Sequence, residues 1–338
     1  MRVSHSRCIH SNDFKMREEF DFGPKPHFNH WFPRHMGKGL NKMRKILRNV
    51  DCIIEVHDAR IPISGRNPTL HQALSSKPHL LVLNKSDLVQ ISKHQVEAIY
   101  NYYRDRQVEN VIFTELSKGK LHESVKQVIP SCVDLIYRNP RHDREGDMDM
   151  NIMVVGIPNV GKSSLIRMLR STNLGRSGGA AVGKSPGHTR AVMNKVMVSS
   201  NPVMYLLDTP GIFEPHISDM HVGMKLGLCN TVHDHVMGPT MVADYLLYTL
   251  NLHKQFAYVK HFNLPAPSDG ILTVLKHITN STNQYQTRRV QSGTGILHVK
   301  IPDFDRAASQ FLLEFRQGNL GKFMLDDVFL TDRNDVDH

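Results

Sequence analysis

Gly156-Ile157-Pro158-Asn159-Val160-Gly161-Lys162-Ser163 comes after Asn84-Lys85-Ser86-Asp87 in this chain, and that order decides the fold. The first stretch fits G-x-x-x-x-G-K-[ST], a loop whose backbone N–H groups and following helix N-terminus cradle phosphates. Asn151-Ile152-Met153-Val154-Val155 before it is an apolar run that reads as a buried strand. Ser164-Leu165-Ile166-Arg167-Met168-Leu169-Arg170 after it reads as the first turns of a helix. A Gly-rich turn holding Gly-Lys-Ser by chance is the bland alternative, and the flanks weigh against it. On the nucleotide reading Val160, Gly161 and Ser164 line the cradle, Lys162 reaches the β- and γ-phosphates, and Ser163 ligates Mg2+.

Asn84-Lys85-Ser86-Asp87 closes the strand-like run Pro78-His79-Leu80-Leu81-Val82-Leu83. Ligands of open α/β sheets bind at the carboxyl ends of strands. The Asp87 carboxylate can accept from guanine N1–H and the 2-amino group, a pattern that adenine lacks. A site built for those bonds leaves buried groups unpaired with the wrong base. Alone, the tetrapeptide also reads as a polar strand-to-helix turn. With the phosphate loop, it points to GTP and GDP rather than ATP. Asp208-Thr209-Pro210-Gly211 follows Val203-Met204-Tyr205-Leu206-Leu207. Asp208 there suits Mg2+, through water, and the Gly211 N–H suits a γ-phosphate sensor. Thr189, in Ser185-Pro186-Gly187-His188-Thr189-Arg190, is placed to close on Mg2+. Ser117-Lys118, after Val111-Ile112-Phe113-Thr114, would support the base.

In the ordinary arrangement the phosphate loop precedes the base reader. Here the order is rotated, as in a circular permutant. The old ends are joined across Arg138 to Asp149, a charged stretch expected to be a solvent-exposed linker. The sheet survives such a cut because domain ends lie at the surface. The segment after Asp208–Gly211 then runs straight into the C-terminal part, so a γ-phosphate-dependent movement would be passed on directly.

This motif order, with Trp31-Phe32-Pro33-Arg34-His35-Met36, Asp58-Ala59-Arg60-Ile61-Pro62 and Arg66-Asn67-Pro68, resembles the circularly permuted ribosome-biogenesis GTPases. Their prototype is the bacterial ribosome-biogenesis GTPase A, and the mitochondrial branch is the more similar one. The resemblance covers roughly residues 30 to 330. It implies a GTPase acting in assembly of the large ribosomal subunit, stimulated by that particle, with a C-terminal helical domain on ribosomal RNA. The expected fold is α/β: a circularly permuted P-loop GTPase domain, a mostly parallel sheet with helices on both faces, then a small all-α domain. The expected spans are a basic or targeting segment over 1–29, the GTPase domain over 30–215, the helical RNA-contact domain over 216–330 and an acidic tail over 331–338.

Ile212 follows Gly211, where many GTPases carry a water-orienting Gln. An apolar side chain cannot orient water, so intrinsic hydrolysis should be slow. The resemblance places a catalytic histidine at His35, beside the catalytic set Lys162, Thr189 and Gly211. A histidine chosen without the family pattern would read as a surface or packing residue. Arg34 replaces the usual glycine before His35, which bears on the geometry of that loop. Asn159 has two readings: a K+ ligand that offsets charge on the phosphates, or a loop-stabilising amide. A GTP-dependent RNA-binding module with little hydrolysis is the competing function, and Ile212 and Arg34 favour it.

Net charge is +10, which favours a polyanionic partner. Residues 1–50 hold eleven Lys and Arg against four acids, a net +7. Residues 34–48 read as an RNA contact, a solvated helix face or part of a targeting segment. Arg2, Arg7 and several serines with no acid before Asp13 fit a short mitochondrial transit peptide, and with the resemblance the location is the matrix. No apolar run approaches a membrane span of ~18 residues. Peripheral contact with the inner membrane stays open. The expected partners are the mitochondrial large subunit and its rRNA, with a monomer off the ribosome. Cys8, Cys52, Cys132 and Cys229 lack metal-site spacing and read as free thiols. From Asp219 onward the spacing predicts helices, with Asp303 as an N-cap, Gly318 as a stop and Gly293-Thr294-Gly295 as a loop between helices. Asp326, Asp327, Asp332, Asp335 and Asp337 read as a mobile acidic end.

Overall fold

The computed structural model describes residues 15–23, 46–106, 108, 110–116, 123–141, 144–175, 195–207, 217–292 and 295–326. Six strands form the main sheet: β1 (Cys52–Asp58), β2 (His79–Asn84), β3 (Asn110–Thr114), β4 (Met150–Val155), β5 (Lys195–Ser200) and β6 (Val203–Leu207). Their order is β3-β2-β1-β4-β6-β5. All neighbours are parallel except β5, which turns back on β6. Every residue of β1, β2 and β4 is buried. A parallel sheet with both faces covered demands such near-continuous apolar runs.

The cover comes from α1 (Pro68–Leu74), α2 (Lys93–Arg104), α3 (Glu123–Lys126), α4 (Val128–Arg138) and α5 (Lys162–Leu174). Ile53 and Cys52 are consecutive on β1, so they point to opposite faces. Ile53 packs with Leu74 of α1, and the Cys52 thiol meets Cys132 of α4. Helices therefore lie on both faces. From β1 the chain moves outward to β2 and β3, then crosses back to β4 on the other side of β1. The β1–β4 junction is the switch point at which α/β sheets bind ligands.

The chain forms two compact units. One is His27–His233 with Lys322–His338, and it contains the sheet. It also includes α6 (Met220–Leu228), N-capped by Asp219, whose carboxylate accepts from Val222 N at 2.9 Å. The chain returns to it at its end: Leu325 N donates to Arg60 O, and Asp326 accepts from the backbone N–H groups of Ile63 and Ser64 at 2.7 and 2.9 Å. Lys225 of α6 lies 3.6 Å from the same carboxylate.

The second unit is Met1–Pro26 with Asp234–Gly321. It holds α7 (Asp234–Met237), α8 (Pro239–Leu252), α9 (Ala257–His261), α10 (Ile271–Thr282), the strands β7 (Tyr285–Ser292) and β8 (Gly295–Pro302), and α11 (Phe304–Arg316). Buried Leu246 and Leu247 of α8 and Phe311, Leu312 and Phe315 of α11 supply its core. Asp303 caps α11 through Arg306 N. Residues 15–23 belong here too. Arg17 pairs with Asp244 at 2.8 Å and with Asp269 at 3.0 Å, and Phe20 is buried beside Tyr245 and Tyr248.

The structure departs from the sequence reading at several points. The C-terminal part is not all-α, because β7 and β8 pair antiparallel, and Gly295 opens a strand rather than lying between helices. Residues 15–23, within the stretch read as a basic or targeting segment over 1–29, are packed structure, and the first dozen residues, read as a transit peptide, lie outside the described residues. The Arg138–Asp149 join is mostly exposed, as expected, yet Arg141 and Arg144 tie it down: they pair with buried Asp51, and Arg144 also with Asp149 at 2.6 Å. Asp326 is 3 % exposed and bonded, not part of a loose tail. The compact units divide the chain at 233/234, whereas the sequence suggests 215/216. Cys52, Cys132 and Cys229 are free and buried, as read, and Cys8 lies outside the described residues. Among the described residues no helix is long and apolar enough to cross a membrane.

Candidate nucleotide site

β4 ends at Val155 and the chain turns through Gly156 (φ +144°) to Gly161 (φ +103°) before α5 begins. Both torsions suit glycine. Space makes the same demand. A Cβ on Gly156 would overlap Val56 O, and one on Gly161 would overlap Asn84 Nδ2. No side chain caps α5, so its first N–H groups remain available to an anion. Lys162 Nζ donates to Gly156 O at 2.8 Å and Ile157 O at 2.7 Å, which holds the ammonium inside the curve of the loop. Burial lowers its pKa, and a phosphate beside it would favour the charged form. Ser163 is exposed in the first turn of α5, and Ser164 is half-buried behind it. This cradle of glycines, free amides, an ammonium and a hydroxyl fits a nucleoside polyphosphate with Mg2+.

Asn84 joins the base-reading segment to this loop. Its Nδ2 donates to Val160 O at 2.8 Å, and its Oδ1 accepts from Thr114 Oγ1 at 3.2 Å. The side chain is 2 % exposed. It is a tie between β2, β3 and the phosphate loop, which is more than the base-binding role read from sequence. Ser86 Oγ donates to Thr114 O at 3.1 Å and fixes the same turn. Lys85 takes φ +61°, unusual for a side-chain-bearing residue, and its Nζ lies 2.8 Å from Asp58 Oδ2. Asp87 follows in the short 3-10 turn Ser86–Leu88 and is half-buried.

Asp58 anchors this corner. Arg60 Nε and Nη2 donate to its two oxygens at 3.0 and 2.8 Å, a two-pronged pairing. Burial opposes charge on Asp58, but the charges and hydrogen bonds of Arg60 and Lys85 win and hold its pKa well below the usual carboxylate range. Burial pushes the nearby Cys229 thiol up to about 12. Asn159, φ +60°, donates from Nδ2 to Asn230 O at 2.6 Å. Among the described residues, no hydrogen bond reaches its Oδ1.

Glu55, further back on β1, makes a second buried polar group. Its Oε1 faces His57 Nε2 at 2.9 Å and Arg66 Nε at 3.8 Å. Glu55, His71 and His79 offer ligand atoms within 4.8 Å of one another. The Arg66 guanidinium, 2.7 Å from His71 Nδ1, already supplies a cation there, which opposes a divalent ion.

The described structure therefore brings together Asn84, Lys85, Ser86, Asp87, Asn159, Val160, Gly161, Lys162, Ser163 and Ser164. His35, Ser117, Lys118, Thr189, Asp208, Gly211 and Ile212 lie outside the described residues. Sequence reasoning missed the supports Thr114, Asn230, and the Asp58–Arg60 pair. Asp58-Ala59-Arg60 was visible as a motif without a role. Thr114 and Asn230 carry no local signal, because their partners lie 30 and 71 residues away.

Comparison with known proteins agrees with this geometry. The family described as "50S ribosome-binding GTPase" matches residues 151–291, from the phosphate-loop strand onward. "Mitochondrial ribosome-associated GTPase 1" of Ictalurus punctatus is 46% identical over 326 residues, covering 96% of this chain and all of that protein. The Bos taurus protein of the same name is 47% identical over 90% of each chain. "Ribosome biogenesis GTPase A" of Priestia megaterium is 30% identical over 88% of this chain and 96% of that one.

Proposed function

The chain belongs to the family of mitochondrial ribosome-associated GTPases, and from that premise we propose that it binds the large subunit of the mitochondrial ribosome and acts in its assembly. It is a GTP hydrolase. GTP hydrolysis to GDP serves as the switch between binding and release, and the site of action is the mitochondrial matrix. One observation carries the nucleotide part: Asn84 Nδ2 on Val160 O, which locks a guanine reader to a phosphate loop across a rotated chain order.

Each residue then has a task. Asp87 accepts from the guanine edge, and Lys85, steadied by Asp58, flanks the base. The loop amides from Asn159 to Ser163 hold phosphate oxygens, and Lys162 leaves its carbonyls for the β- and γ-phosphates. Ser163, Thr189 and, through water, Asp208 would hold Mg2+. When bound, Mg2+ offsets charge on the transferred phosphoryl oxygens. The Gly211 N–H meets the γ-phosphate, and Ser117-Lys118 backs the base. Water orientation falls to His35, with K+ on Asn159 Oδ1 as a charge-offsetting aid. The Asn159–Asn230 bond steadies that amide.

The second reading is a GTP-holding RNA module with little turnover, favoured by the apolar Ile212. Turnover measured with and without purified mitochondrial large subunits, in potassium and in sodium, separates the two. Strong stimulation by the particle supports the assembly GTPase. Tight GTP binding with no stimulation in either salt leaves the module. Lys162→Ala should abolish nucleotide binding with the fold intact, and unchanged affinity would defeat the site assignment.

A further inference from the structure

β7 and β8 form a two-stranded ribbon whose register pairs Thr287 with Lys300, Arg288 with Val299 and Arg289 with His298. Cross-strand partners share a face. Thr287, Arg289, His298 and Lys300 therefore lie together on one side, and Arg288 lies on the other with Val299. Gln286, Thr287, Arg288, Arg289, His298, Val299 and Lys300 are all exposed, so over this stretch neither face is packed. A lone two-stranded ribbon is marginal in water and gains from a partner.

The charge says what kind. Between Asn283 and Pro302 there are two arginines, one lysine and no acid. The acids between residues 234 and 321 are all engaged. Arg17 holds Asp244 and Asp269, Arg316 holds Asp234, and His261 meets Glu314. Asp303 caps a helix and Asp305 accepts from Thr240. Among the described residues, Arg288, Arg289 and Lys300 take part in no ion pair. Arg289 and Lys300 are diagonal neighbours on one face, where two like charges repel until an anion lies between them.

We propose that this ribbon is an RNA-backbone contact, with Arg289, Lys300 and Arg288 on phosphates and Thr287 and Gln286 as neutral partners for phosphate or 2′-hydroxyl groups. It rests on the ribosome-binding reading and adds to it the element that touches RNA. The alternation of basic and hydroxyl or amide side chains, with Val299 as the exposed aliphatic residue among them, suits a hydrated polyphosphate better than a lipid surface.

The test uses the full chain and the variant R288Q/R289Q/K300Q. Both are titrated over a salt series onto purified mitochondrial large subunits, onto rRNA extracted from them, and onto phosphatidylcholine–phosphatidylserine vesicles. On rRNA the variant should bind about ten- to a hundredfold more weakly near 0.1 M salt, with a log–log salt slope shallower by about 2 to 3. GTP affinity and melting temperature should not change. R288K/R289K, which keeps the charge, should bind like the wild type. Equal rRNA affinity and slope for wild type and R288Q/R289Q/K300Q would overturn the proposal, as would a loss confined to vesicles or a wild type that binds no RNA. If the wild type binds rRNA through the ribbon but not intact subunits, the proposed function fails and the ribbon contact stands.

Discussion

Asn84 and Asp87 stand in one tetrapeptide and do different work. Asn84 is buried between Val160 O and Thr114 Oγ1, so Asn84→Ala leaves a buried carbonyl without its donor. The expected cost is about 1–3 kcal/mol, or roughly 3–10 °C in Tm, together with weaker binding of every guanine nucleotide. Asp87→Ala should leave Tm unchanged and abolish the preference for guanine over adenine. Melting curves and nucleotide competition on the two variants check this, and equal Tm losses would remove the distinction. Glu55 adds a pH prediction. Burial alone would raise its pKa, but the His57 hydrogen bond and the charges of His57 and Arg66 outweigh it and bring the carboxyl from 4.5 down to about 2. The folded value is the depressed one. Its contribution to stability is therefore complete above about pH 4.5 and is lost as pH falls towards 2. Wild type should lose about 3 kcal/mol more than Glu55→Gln across that window, read by denaturant unfolding at each pH. Parallel losses in the two proteins would refute it.

The strand elements were legible where both faces are buried. Ile152–Val155 and Leu80–Leu83 are continuous apolar runs, and they are β4 and β2. The phosphate loop was equally plain, because its glycines answer to local torsion and, at Gly156, to close backbone contact. The β7–β8 ribbon was not. Period-two alternation marks a strand only when one face is buried, and Gln286 to Arg289 have none. Asp326 was misread for the reverse reason. A string of aspartates looks like a tail, and only Ile63 and Ser64, more than 260 residues away, reveal the acceptor. That short closing segment carries its own prediction. Asp326→Ala removes the acceptor of two backbone N–H groups and of Ser64 Oγ, and leaves Lys225 unpaired beside them. It should destabilise the sheet unit by about 3 kcal/mol or more. Chemical denaturation checks it, and a change below about 0.5 kcal/mol would show that the segment is not held there.

At the scale of the whole molecule, neither unit is a single stretch of sequence. The sheet unit takes back residues 322–338 after the chain has built the other unit, and that other unit takes residues from before the sheet begins. No single cut can therefore free either one intact. A fragment of residues 234–321 keeps α8 and α11 but loses Arg17, which leaves the carboxylates of Asp244 and Asp269 without their shared guanidinium. It also uncovers the Tyr245 and Tyr248 rings that Phe20 packs against, with about 2–3 kcal/mol lost for that one side chain. The fragment should melt at least ten degrees lower than the same residues joined to 15–23 by a flexible linker, since one kcal/mol moves a unit of this size by about 4–8 °C. Circular dichroism melts of the two fragments decide the matter. Arg17→Ala and Phe20→Ala in the joined form should each forfeit part of the gain, and equal melting of the two fragments would mean that residues 15–23 rest on the unit without stabilising it.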